Sequence, residues 1–161
     1  MLTIEKKSLK VGKFVNTEHV DTAIRNYKQE RWVNNSKHIG KEDSLSAWLS
    51  IEEMEDFIAK AKEHGGDGIR VYFAAYSEDY AEQPLYAGRQ TIVMVGTKNK
   101  HDEKGLAANK DIYINNDEGT SILAYNSVLI CPPFCKPKGI DGGNDVGIAI
   151  VDKGDDGFVV V

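Results

Sequence analysis

The stretch that most constrains the fold runs from Ser46 to Tyr76, because within it the apolar period changes from helical to alternating. Ser50 followed three residues later by Glu53 has the form of a capping box, in which hydroxyl and carboxylate each satisfy a backbone N–H that the first helical turn leaves unpaired. Leu49 and Met54 stand at the two positions of a hydrophobic staple. Ile51, Met54, Phe57, Ile58 and Ala61 recur at helical spacing and His64-Gly65-Gly66 supplies the stop, so the spacing predicts a helix over 51–64 with one core face. After Asp67 the pattern alternates. Ile69, Val71, Phe73 and Ala75 are expected on the core face of a strand, and Arg70, Tyr72, Ala74 and Tyr76 on the other. A helix folding back on a strand of similar apolar length is where the core should begin.

A chain of 161 residues is about one domain long. A hydrophobic content of 41% and a charged content of 28% are those of a soluble globular protein, and the net charge of −5 argues against a nucleic-acid partner held through its phosphates. The first residues, MLTIEKKSLKVGKF, never reach the apolar run of an export signal, and no stretch approaches the ~18 uninterrupted apolar residues of a membrane span. The expectation is a cytoplasmic protein with no membrane partner and with its cysteines reduced.

Before the central unit, residues 1–16 read as an edge strand or irregular lead-in. Thr17 is the expected N-cap of a helix that carries Val20, Ile24 and Tyr27 on a narrow stripe and ends near Trp32, at Asn34-Asn35-Ser36. Arg25, Lys28 and Arg31 read as its solvated face, since Glu18, Asp21 and Glu30 interrupt the positive charge. Residues 38–45 are polar and read as a loop, as do 77–89. Thr91 to Thr97, with four successive apolar residues, predicts a central strand covered on both faces. Residues 98–110 look like a charged excursion; 111–114 and 121–130 read as strands joined by a turn at 115–119. Val146–Val151 and Phe158–Val161 complete the chain as a hairpin. The fold class expected is α+β, a mixed and mainly antiparallel sheet with two helices packed on one face, in a single domain over residues 1–161 to which 136–161 adds a possible appended hairpin.

Chemistry, if any, is expected at Cys131-Pro132-Pro133-Phe134-Cys135, which follows an apolar strand and holds the only cysteines. In a redox reading the pair forms a local disulfide or a nucleophile with its resolving thiol, beside Lys136 and Lys138. The spacing argues against that, because the familiar dithiol motif has two intervening residues and this segment has three, two of them proline. In a metal reading two further ligands are needed, and His19, His38, His64 and His101 form no second spaced pair. The plain alternative is two ordinary thiols, one of them buried. Asp152 to Gly157 imitates the start of a calcium loop but lacks the glutamate at its end, and Gly142-Gly143-Asn144-Asp145 occurs once where a stacked repeat is needed. Arg70 and Tyr72, with Arg89 near, could cradle an anion, though an arginine reaching from a strand to a surface carboxylate is the commoner arrangement. No phosphate loop, nucleophile elbow or zinc-protease motif is present.

Trp48 before the capped helix, the strand Arg70-Val71-Tyr72-Phe73, Tyr125-Asn126 and the Cys131 to Cys135 loop together resemble a group of small uncharacterised bacterial proteins. The resemblance covers roughly residues 17–135; 136–161 extend beyond its usual pattern. It implies one compact domain and no reaction. The reading is therefore a non-catalytic domain that binds another protein or itself, without cofactor or metal, through Cys131, Pro132, Pro133, Phe134, Cys135, Arg70, Tyr72 and Arg89. The alternative is a thiol-dependent redox or metal-binding protein using the same loop.

Overall fold

A computed structural model describes residues 9–101, 103–135, 150–152 and 158–160. The chain is α+β and mainly antiparallel. In order it forms α1 (Thr17–Tyr27), a π-helical turn (Lys28–Trp32), α2 (Val33–Ile39), β1 (Ser46–Trp48), α3 (Ile51–Glu63), β2 (Gly68–Ala75), a short 3-10 turn (Pro84–Tyr86), β3 (Gln90–His101), β4 (Ala107–Asp111), β5 (Tyr113–Asn116), β6 (Gly119–Ile122), β7 (Ala124–Tyr125), β8 (Leu129–Cys131), β9 (Ile150–Asp152) and β10 (Phe158–Val160). Its residues group into two compact units. Among those described, the first holds 9–12, Leu49–Phe73 and Ile92–Ser127, and the second Lys13–Trp48, Ala74–Thr91 and the residues from Val128 onward.

The first unit is built on α3. Ser50 caps it with both halves of the box formed: the Glu53 N–H donates to Ser50 Oγ at 3.1 Å, and the Ser50 N–H to Glu53 Oε2 at 2.8 Å. At the other end Gly65 turns to φ +75°, so that its N–H reaches the Lys62 carbonyl and that of Gly66 reaches Ala61, a Schellman closure. The helix presents Phe57 and Ala61 to Met94, Ile112 and Leu123, with Leu49, Met54, Ile69, Ile114 and Tyr125 packed around them. Both staple residues thus serve the core. Close approach of helix to strand needs Gly96, where a Cβ would stand 3.0 Å from Leu123 Cδ2 and 3.3 Å from the Ala61 methyl.

Residues 91–97 are the interior strand expected. β3 lies between β2 and β4 and also pairs β7, and Met94 and Val95 are fully buried. The charged stretch after Thr97 is not an excursion: β3 continues to His101 and pairs β4 from Thr97↔Asp111 to His101↔Ala107. Backbone pairing there needs no apolar side chains, which is why composition misled. The expected strand 121–130 is three short ones, β6, β7 and β8, each with a different partner. The break falls at the core, where Gly96, Leu123 and Ile112 exchange backbone hydrogen bonds in a ring, each N–H donating to the next carbonyl.

The alternation in β2 places fewer residues inside than expected. Ile69 packs on the core, but Val71 is 48% and Phe73 84% exposed. Among the described residues β2 stands at the end of its sheet, and the core cluster reaches it only at Ile69. Period alone cannot say how far along a strand the covering helix extends.

Glu53 also accepts from the Tyr125 hydroxyl at 2.7 Å, and that bond, with those from Ser50, holds its carboxyl below the usual glutamate range. A depressed folded-state pKa contributes stability that is present above the unfolded value and is lost as the pH falls through the folded one. Wild type is therefore expected to lose stability on acidification through the carboxylate range more steeply than Glu53→Gln, as read from denaturant midpoints on both proteins. Parallel acid limbs would show that the box contributes nothing to the pH dependence.

In the second unit the first helix is longer than its composition suggested. Asn16, not Thr17, is the N-cap, accepting from the His19 N–H at 2.9 Å, and the helix runs through Asn34-Asn35-Ser36 to Gly40 at φ +71°. β1 pairs β8 with Ser46↔Cys131, Ala47↔Ile130 and Trp48↔Leu129. The terminal hairpin forms by pairing β9 with β10. Residues 136–149 and 153–157, which hold the two calcium-like fragments apart from Asp152, lie outside the described residues.

Candidate functional site

The π-helical turn explains how a mostly polar helix acquires a working face. The Val33 N–H bonds to the Lys28 carbonyl, five residues back, and the wider turn brings residues five apart onto one side. Tyr27 and Trp32 have that spacing. The Tyr27 hydroxyl bonds Gln90 Oε1 at 2.6 Å, and the Trp32 indole N–H donates to the Asp43 carbonyl at 2.8 Å. Asn35 reaches the same Gln90 oxygen, and Ser36 Oγ accepts the Asp43 N–H at 2.9 Å.

Asp43 is the node of this face. It is 2% exposed, and its Oδ1 accepts the backbone N–H of Ser44 at 2.8 Å and of Gln90 at 2.7 Å. Ser44 Oγ donates to the Gln90 carbonyl, so the loop after α2 is clamped to the start of β3 by two consecutive residues. Burial first, then the Asp43 carboxylate, pushes the Tyr27 hydroxyl up. Arg89, also buried, donates from Nε to the Leu85 carbonyl at 2.9 Å, while its Nη1 is buried without a hydrogen-bond partner. Burial lowers the guanidinium pKa, and the carboxylates of Asp43 and Glu42 oppose that.

The next residue after Ser44, Leu45, ties this node to the cysteine loop: its N–H donates to the Cys131 carbonyl at 2.7 Å. Cys131 and Cys135 are joined in a disulfide with Cα atoms 4.7 Å apart, so neither the expectation of reduced cysteines nor the reading of two ordinary thiols holds. Spacing and proline content argued against the bond because they were compared with a helical motif; here the segment is a turn, closed independently by the Phe134 N–H to the Ile130 carbonyl at 3.1 Å. The Cys131–Pro132 and Pro132–Pro133 bonds are both cis. With the sulfurs bonded to each other neither is a thiolate ligand, and among the described residues no group of His, Cys, Asp and Glu is arranged to hold a metal ion.

Phe134 meets the Tyr86 ring edge-on at 5.7 Å, Tyr86 meets Tyr76 at 5.3 Å, and Tyr76 meets Tyr80 at 4.5 Å. Tyr76 and Tyr86 are buried, whereas Pro132, Pro133, Phe134 and Cys135 are half-buried. Burial pushes the Tyr86 hydroxyl up, against a backbone hydrogen bond from Ile130. The loop is thus a small covalently closed surface standing on a buried aromatic row.

Removing the covalent link should leave the rest standing. Cys131→Ser combined with Cys135→Ser is expected to remain folded and to lose about 2 kcal/mol, the chain-entropy value for a closed loop of about five residues. Equilibrium denaturation checks this, and a variant unfolded in buffer would mean that the backbone bonds do not hold the turn by themselves.

Arg70 and Tyr72 lie in the first unit, where the arginine reaches a carboxylate instead of leaving room for an anion. Arg70 Nη1 meets Asp111 Oδ1 at 2.5 Å, Arg70 Nη2 donates to the Asn109 carbonyl at 2.7 Å, and the Tyr72 hydroxyl donates to Asp111 Oδ2 at 2.6 Å. The guanidinium is paired with Asp111 of β4, across the intervening β3. Arg89 belongs to the other unit.

No protein-family model, curated protein or solved structure matches the chain. Its site must be read from its own geometry. Tyr27, Trp32, Asp43 and Gln90 escape a reading of the sequence, because 38–45 looks like an undistinguished polar loop. The available signal is Arg89-Gln90 set directly before the apolar run of β3, a position where polar side chains become buried and must find partners.

Proposed function

We propose that the chain is a non-catalytic interaction domain that binds another protein through the loop Cys131 to Cys135. The observation that carries this reading is the loop's pre-organisation. The disulfide, the Phe134 to Ile130 bond and the Leu45 to Cys131 bond constrain the same short turn, while Pro132, Pro133 and Phe134 keep part of their surface open. A partner meeting a surface that is already ordered spends little binding energy on ordering it, and a half-buried aromatic with flanking prolines is the kind of anchor that dominates such contacts. The buried Asp43, Gln90 and Arg89 cluster then has a structural role, fixing the segment whose Leu45 N–H bonds the Cys131 carbonyl.

The test is comparative capture from a lysate of the native host using wild type, Pro133→Ala with Phe134→Ala, and Leu106→Ala, an exposed position of the first unit. A partner should be recovered equally by wild type and Leu106→Ala and be depleted about tenfold or more by the loop variant, the loss expected when a single anchor is truncated. Equal recovery by all three folded proteins would refute the loop as the binding surface.

A further inference from the structure

The geometry points to a second property of the same loop: the Cys131–Cys135 disulfide is an exchangeable thiol–disulfide site, opened by an external dithiol in the folded protein, with the Ser46 hydroxyl receiving the Cys131 thiolate. This is independent of whether the loop binds a protein partner.

Three observations support it. The first is asymmetry. Cys131 is 5% exposed at the end of β8, whereas Cys135 is half-buried at the far side of the turn. An incoming thiolate therefore attacks Cys135 Sγ, and Cys131 is the leaving group. The second is that the bond is not the sole closure of the turn: the cysteines are four residues apart and the Phe134 N–H also closes the turn on the Ile130 carbonyl. Opening it requires no separation of strands. The third is Ser46. It is the register partner of Cys131 in the antiparallel β1–β8 pair, which puts the two side chains next to each other on one face of the ribbon. Its Oγ is buried and has no hydrogen-bond partner. A buried hydroxyl without an acceptor is costly, and a thiolate formed beside it supplies one while the hydroxyl stabilises the departing charge.

The step balances as ordinary exchange. One thiolate of the dithiol bonds to Cys135 Sγ as the Sγ–Sγ bond breaks, and the electron pair leaves on Cys131. The second thiol of the reductant, as thiolate, attacks its own sulfur in the mixed disulfide and releases Cys135. The dithiol departs as a cyclic disulfide, oxidised by two electrons, and the two cysteines take up the two protons that the dithiol's thiols gave up.

Ser46 acts here as a positioning residue, and the experiment is built to show it. Native protein is mixed with dithiothreitol and the free thiols are trapped by alkylation and counted by intact mass, for wild type, Ser46→Ala and Ser46→Thr. Wild type should be reduced at a rate that does not follow the global unfolding rate as denaturant is added. Ser46→Ala should react about tenfold more slowly, the factor expected when a leaving thiolate loses one hydrogen bond, and Ser46→Thr should recover most of the rate. In a Cys135→Ser background, the pH profile of Cys131 alkylation should move to higher pH when Ser46 is replaced by Ala. Reduction that proceeds only through global unfolding, or a Ser46→Ala rate equal to wild type with an unmoved alkylation profile, overturns the proposal and leaves a structural disulfide.

Discussion

Asp43→Ala is expected to cost about 2–5 kcal/mol, the sum for two backbone N–H groups each left buried without a charged acceptor. The substitution leaves the backbone N–H groups of Ser44 and Gln90 buried without the acceptor they share, and it removes the carboxylate that opposes the desolvation of Arg89. Both effects act on the same strand end, so neighbouring groups cannot relax to absorb one without worsening the other. Asp43→Asn separates them: the amide oxygen can still accept, but the charge facing Arg89 is gone. Chemical denaturation of the three proteins should rank them wild type, Asp43→Asn, Asp43→Ala in decreasing stability. A loss under about 1 kcal/mol for Asp43→Ala, the size of an ordinary hydrogen bond, would show that the node is surface-like in solution.

Phe57→Ala in the other unit is expected to cost about 3–5 kcal/mol, through a cavity instead of lost hydrogen bonds. The ring is 5% exposed and meets Tyr125 at 5.9 Å among Met94, Ile112 and Leu123. Tyr125 is also tethered to Glu53, so it cannot swing in to fill the space. Ile51→Ala, at a position whose spacing predicts the core face but which is 79% exposed in the first turn, should change stability by less than about 0.5 kcal/mol. Equal losses from the two substitutions would mean that the helix does not bury the face assigned to it.

The two residues differ in how visible they are in the chain. Phe57 is legible as core from sequence alone, because helical spacing, a capping box and a glycine stop all specify the same element and therefore the same face. The interior position of Thr91 to Thr97 is legible for a similar reason: an unbroken apolar run has to be covered on both sides. Asp43 is not legible. A carboxylate in a polar loop carries no local sign that a residue 47 positions away will donate to it.

What the sequence determined by itself is where local rules agree: α3 with its cap, staple and Schellman end, the switch to β2, the buried strand β3, and the α+β class these imply. Tertiary structure decided the features that depend on where an element's neighbours lie. It carried the first helix through Asn34-Asn35-Ser36, where a π turn aligns Tyr27 and Trp32 on Asp43 and Gln90, and it left Val71 and Phe73 exposed at the end of a sheet. It also closed Cys131 on Cys135. Spacing fixes how far apart two cysteines stand along the chain, but the turn that brings their sulfurs together is held by Leu45 and Ile130, and contacts made across the fold are not written in the interval between the residues they join.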